Sequence, residues 1–307
     1  MNISNTIKEY NYYQKTAIIL FVILASMLIG QVLAGLVGML VNLELIIESG
    51  LSEAKTTADY NTVKLLQFIS AIFTFVVPAL IIAKLFGDKI SKYLYLNTSP
   101  KISYYIFTIL FFFAILPAMN IIIVWNSSLQ LPESLSGLEQ SLMEMEESGK
   151  KMTEIMLKGS SVGQLLINLL LMALLPAIGE EFLFRGIIQK HLIVWTKKPH
   201  LAILLAGIIF SAVHFQFYGF IPRVILGVLF GYLVYYSGSL WPAIFAHFFN
   251  NAMAVLSFKL GGDSLDASEI DSFGTTSTDF YFVFIGLVFA YLIGKQLFKF
   301  SKNKPIK

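Results

Sequence analysis

Long runs without Asp, Glu, Lys or Arg dominate this chain, and their lengths predict membrane-spanning helices. A helix needs about 20 apolar residues to cross about 30 Å of hydrocarbon. The stretches 16–43, 65–83, 102–131, 159–179 and 201–222 meet or approach that length. The stretch 224–258 is too long for one crossing and is broken at Ser237-Gly238-Ser239-Leu240-Trp241-Pro242, so it reads as two helices. A last stretch, 280–294, reaches Phe298 if the Lys295 stem lies along the helix and its ammonium reaches the interface. The pattern predicts an all-α, polytopic membrane protein of about eight transmembrane helices.

Basic residues orient that arrangement, because Lys and Arg gather on cytoplasmic segments. With the N-terminus inside and crossings alternating, the inside segments hold Lys8, Lys15, Lys84, Lys89, Lys92, Lys101, Arg185, Lys190, Lys197, Lys198, Lys295, Lys299, Lys302, Lys304 and Lys307. These are most of the 22 basic residues. The outside loops, near 44–64, 132–158 and 259–279, collect acids such as Glu139, Glu144, Glu146, Glu147, Asp263, Asp266 and Asp271. Both termini are therefore expected in the cytoplasm. The first stretch is longer than the apolar region of a signal peptide, about 7–15 residues, and is expected to remain as a helix. In 131–160 the spacing of Glu144, Glu146, Glu147, Lys150 and Lys151 suits a short surface helix, read as a solvated connector with a lid as the functional alternative.

Composition narrows the class further. Of 307 residues, 56% are apolar and 13% charged, with a mean hydropathy of +0.73. A soluble domain carries about 25% charge, so lipid is the expected solvent. A net charge of +3 gives no support to nucleic-acid binding, and the absence of Cys excludes disulfides, thiolate metal sites and a Cys nucleophile.

Ionisable groups inside a bilayer cost from about 2.5 to over 10 kcal/mol, so each one is a functional candidate. Those singled out are Glu180, Glu181 and Arg185 at the end of the fourth span, where the apolar flank at 182–184 and 187–188 lets the helix run on from Leu165 to Trp195, His214 in the fifth, and His247 with Asn250 and Asn251 in the seventh. Successive helical residues point about 100° apart, whereas residues four apart share a face. Glu181 can therefore pair with Arg185, which leaves Glu180 free to face the bundle interior as a general base. His214 lies four residues after Phe210, and Asn251 four after His247, so each pair shares a face. A base, proton carriers or metal ligands, and an amide for an oxyanion are the set that hydrolysis needs. His191 and His200 lie in a basic segment and read as ordinary surface residues. Gly30, Ala34 and Gly38, and separately Gly227 and Gly231, have the small-xxx-small spacing that lets helices approach closely.

Glu180-Glu181-xxx-Arg185, Phe210-xxx-His214 and His247-xxx-Asn251, in that order on successive apolar helices, resemble the three motifs of the CPBP family of intramembrane proteases. That family contains the type II CAAX prenyl proteases and the bacterial Abi proteins. The resemblance implies a helical membrane endopeptidase in which Glu180 activates water and His214 helps to position or deprotonate it. His247 and Asn251 would stabilise the oxyanion, and Glu181 with Arg185 would hold the Glu180 helix. It divides the chain into N-terminal helices and an outside loop (1–158), a catalytic core (159–260), and an outside loop, last helix and basic tail (261–307).

Two chemistries stay open for these residues: a metalloprotease with Zn²⁺ on His214, His247 and Glu180, or a metal-free glutamate-type protease. The chain has no HExxH, the usual helical zinc signature. The expected partners are the lipid bilayer and a membrane-associated peptide or protein, in a bacterial inner membrane. Rival readings are an ion- or proton-coupled transporter and a non-catalytic bacteriocin-immunity binding protein.

Overall fold

A computed structural model of the chain describes residues 9–159, 161–260, 274–276 and 280–300. The expected outside loop at 261–273, with Asp263, Asp266 and Asp271, and the basic tail at 301–307 lie outside the described residues. So does Lys8.

Among the described residues the protein is helical and has no strand. The major helices are α1 (Tyr12–Val41), α2 (Thr57–Phe86), α3 (Ile102–Ser127), α4 (Ser136–Leu157), α5 (Val162–Thr196), α6 (Pro199–Ala212), α7 (Phe220–Ser237), α8 (Trp241–Leu260) and α9 (Phe280–Phe300). Seven are long and apolar enough to cross a membrane; α4 is amphipathic, and α6 is an apolar helix of 14 residues. Lipid-facing side chains such as Phe21, Leu28, Phe284 and Tyr291 remain exposed, as expected where hydrocarbon replaces water. Capping boxes at Asn11/Gln14 and Thr56/Asp59 start α1 and α2, and Gly238, with φ 67°, ends α7 in the left-handed conformation.

Several sequence expectations shift. The fifth span does not run over 201–222: α6 stops at Ala212, and a turn with Phe215 at φ 53° leads into α7, which already begins at Phe220. Ser211 Oγ donates to Phe220 O, and Asn126 of α3 clamps the turn by donating to Phe217 O and accepting from Ile221 N. These bonds satisfy backbone groups that would otherwise be stranded in hydrocarbon. The fourth span runs on past Glu180, as its apolar flank allows. α5 continues for 35 residues to Thr196, so Glu180 lies near its midpoint, and Arg185 is an interior residue rather than a marker of the cytoplasmic face.

The 131–160 connector forms the 22-residue α4, longer than the short helix expected, and its C-terminal Ile155, Met156 and Leu157 are buried. Lys64 of α2 pins that end by donating to Lys158 O and Gln164 Oε1, and Lys151 pairs with Glu53 at 3.0 Å. The Lys151 ammonium holds the exposed Glu53 carboxyl below its ordinary range. His191 is a half-buried residue of α5 rather than a surface one, bonded to Thr16 and stacked on Tyr12 with ring centroids 4.2 Å apart.

The start of α1, the end of α5, the 93–98 segment and the α7–α8 turn meet at one end of the bundle. Lys190 Nζ donates to Tyr93 O, Leu240 N to Tyr95 O, and Trp241 Nε1 to Leu96 O. Burial pushes the phenols of Tyr93 and Tyr95 up to about 12, so neutral rings face the Lys190 ammonium. Leu297 of α9 packs with Tyr104 of α3 at this same end, whereas α4 covers the other.

The glycines allow close crossings. A Cβ on Gly227 of α7 would meet Gly207 Cα of α6 at 2.9 Å, and one on Gly179 of α5 would meet Phe75 Cβ of α2 at 2.9 Å. The second contact ties α1–α2 to the helix that carries Glu180.

Candidate active site

α5 is not a uniform helix. Two wide turns, Leu169–Leu174 and Phe184–Gln189, flank the regular segment Leu175–Leu183 that carries both glutamates. Such expanded turns cluster at functional sites because they redirect side chains without breaking the helix.

Glu181 and Arg185 are paired as the spacing predicts, with Nη1 to Oε1 at 2.8 Å and both side chains 0% exposed. The guanidinium also donates to Gly227 O at 2.9 Å and lies over the rings of Phe210 and Phe230. The absence of a side chain at Gly227 allows α6 and α7 to approach there, and the carbonyl then serves as acceptor.

His247 of α8 completes this cluster. Its Nδ1 lies 2.9 Å from the same Glu181 Oε1, and its ring stacks on Phe230 at 5.0 Å. A carboxylate paired with Arg can only accept, so Nδ1 carries the hydrogen and Nε2 is turned elsewhere. It faces Glu180 Oε2 at 3.8 Å, too far for a direct hydrogen bond but close enough for a third polar atom to bridge the two. Glu180 Oε2 has no hydrogen-bond partner within the protein.

His214 sits in the turn after α6, where its Nδ1 lies 2.8 Å from Phe210 O. A carbonyl accepts, so Nδ1 donates and Nε2 keeps an available lone pair. Asn251 Oδ1 accepts from Asn250 Nδ2 at 3.3 Å, which leaves the Asn251 amide donors free.

A cavity of about 310 Å³ joins these groups. Glu180, His214, His247 and Asn251 all line it, whereas Glu181 and Arg185 lie behind its wall. Residues that the sequence reading left aside line it too: Arg223 of α7, and Thr153 and Leu157 of α4. Arg223 had served as a boundary between apolar stretches; its signal was its i, i+3, i+7 relation to Leu226 and Phe230, which share its face. Asn250, singled out beside Asn251, faces it as well, and α4, read as a connector, supplies part of the wall.

Among the described residues no group of three His, Cys, Asp or Glu side chains converges as metal ligands would. His247 Nδ1 is held by Glu181 and His214 Nδ1 by a backbone carbonyl, so the Nε2 atoms are the nitrogens that a metal would take.

Residues 162–253 match the family model of type II CAAX prenyl endopeptidase Rce1-like proteins. This segment is similar to the CPBP/CAAX protease family. The matched part of the CPBP core begins at α5 and ends within α8, so it contains Glu180, Glu181, Arg185, His214, His247 and Asn251. The uncharacterized protein YpbD of Bacillus subtilis (strain 168) is 32% identical over 90 residues, 28% of this chain. The match covers 43% of that protein's length, so the resemblance concerns the CPBP core and not whole chains. No solved structure matches.

Proposed function

We propose that the protein is an intramembrane endopeptidase that hydrolyses a peptide bond of a membrane-associated protein or peptide. The observation that carries this reading is the unpartnered Glu180 Oε2 facing His247 Nε2 across 3.8 Å, in a cavity shared with His214 and Asn251. The family match over 162–253 supports the same reaction class.

In this reading 159–260 is the catalytic core, and water bound between Glu180 and His214 Nε2 gives its proton to the Glu180 carboxylate. The resulting hydroxide attacks the scissile carbonyl. The tetrahedral oxyanion takes a hydrogen bond from an Asn251 amide donor and another from His247 Nε2. Because Nδ1–H is already given to Glu181, Nε2 donates to the oxyanion only from the doubly protonated ring. Glu180 then returns its proton to the departing amine. Arg185 holds Glu181, and so fixes the His247 ring; it touches no substrate. No step needs a metal.

The proposed setting is a bacterial inner membrane with both chain ends cytoplasmic, which requires the short apolar α6 to serve as an eighth crossing and puts α4 and its side of the cavity at the outer face. The test is cleavage of membrane peptides by the full chain in proteoliposomes. Glu180→Gln should lower turnover by about 10²–10⁴-fold, the scale of general-base catalysis, while the protein stays folded. Chelator should leave the wild type active, and loss of activity restored by Zn²⁺ would replace this mechanism with the metal one. Turnover unchanged in Glu180→Gln would overturn the site. Peptide binding without any turnover would favour an immunity-type binding protein.

A further inference from the structure

Arg223 is a second cation in the interior of the CPBP core, and its surroundings differ from those of Arg185. Arg185 has Glu181 at 2.8 Å, whereas among the described residues no carboxylate forms an ion pair with Arg223. Its Nη1 donates to Gln216 O and its Nη2 to Gln216 Oε1. These are neutral acceptors, which take two of five guanidinium hydrogens and leave the fork without a carboxylate in direct contact. The group packs against Gly219, where a Cβ would meet Nη2 at 2.7 Å, so the 216–219 turn holds the fork in place.

Arg223 lines the same cavity as Glu180 and His247. The acidic groups that act on it are Glu180 and Glu146 of α4, and each has a buried Oε2 without a hydrogen-bond partner. Glu180 is required elsewhere if it activates water. Gln216, the residue that holds the guanidinium, lies under α4, since a Cβ on Gly149 would meet its Nε2 at 2.8 Å. A fixed, half-buried guanidinium that lacks a carboxylate is suited to bidentate recognition of one.

We infer that Arg223 is the specificity-determining residue of this cavity and takes a carboxylate of the bound peptide on the α4 side of the scissile bond. This inference rests on the endopeptidase reading. Arg223 and Phe230 are seven residues apart on α7, about 10 Å at about 1.5 Å per residue, so the carboxylate binds away from the His247 ring on which Phe230 stacks. It comes either from an acidic side chain or from the peptide's own C-terminus.

The test uses the full chain in dodecyl maltoside and fluorescein-labelled nonapeptides of Ala, Leu and Phe. One series carries a single Glu, Gln or Lys with an amidated end; another has no charged side chain and ends in a free or amidated carboxyl. Binding is read in Glu180→Gln protein, so it does not depend on turnover. The expected result is at least tenfold tighter binding of a carboxylate peptide than of its neutral partner. Adding Arg223→Gln should collapse that ratio to about one, Arg223→Lys should retain part of it, and Arg223→Glu should turn the preference toward the Lys peptide. The series that discriminates identifies the source of the carboxylate. Equal binding of acidic and neutral peptides, or discrimination that survives Arg223→Gln, overturns the inference. The endopeptidase reading fails separately, if Glu180→Gln protein cleaves as fast as wild type.

Discussion

Replacing Arg185 by Met tests whether the buried ion pair organises the CPBP core. The side chains are similar in length, so packing changes little while the charge disappears. Glu181, 0% exposed, then keeps only His247 as a partner, and Gly227 O loses the donor at 2.9 Å. Breaking a buried pair from one side costs about 3–5 kcal/mol, because the surviving charge is left without its counter-ion. At about 2 °C per kcal/mol for a chain of this size, melting should fall by about 6–10 °C. Trp125, Trp195 and Trp241 provide a fluorescence signal for this in detergent micelles. The double variant Glu181→Gln/Arg185→Met removes both charges and should recover at least half of the loss. The two single variants and the double close a cycle whose coupling should exceed about 2 kcal/mol, within the range for residues in contact. A drop of less than 2 °C in Arg185→Met, or a double variant as unstable as that single one, would refute the idea that charge pairing holds this core.

Gly227→Ala should lower melting by about 1–3 kcal/mol equivalent, since its Cβ meets the Gly207 backbone at 2.9 Å and must push α6 from α7; an unchanged melting temperature would contradict that crossing. Asn126→Leu unpairs Phe217 O and Ile221 N, each worth about 1–3 kcal/mol when buried, and should reduce both stability and peptide turnover because the clamped turn follows His214. The chain has no Cys, so single cysteines report topology directly. Ser141→Cys on α4 should react with an impermeant maleimide added to intact cells, and Lys198→Cys only after lysis; the reverse pattern would invert the proposed orientation.

Hydropathy alone carried the helical class and most of the membrane crossings, because the bilayer imposes a length of about 20 apolar residues that any linear scan can count. Spacing carried the Glu181–Arg185 pair for a similar reason: neighbours four apart on a helix meet whatever surrounds them. Such local rules let α5 run past Glu180 on its apolar flank, but they did not give its shape. Its wide turns at Leu169–Leu174 and Phe184–Gln189 have no composition that separates them from ordinary helix, and a buried arginine looks in a sequence like the end of a span. The turn at 213–219 is likewise set by Asn126, which lies about 90 residues earlier and becomes a neighbour only when α3 packs beside α7. Tertiary packing alone decided that Arg223, Asn250 and α4 face the cavity, and that His247 shares one Glu181 oxygen with Arg185. Those are contacts between helices, and a pattern with a period of 3.6 residues says which side of a helix is apolar but not which partner it meets.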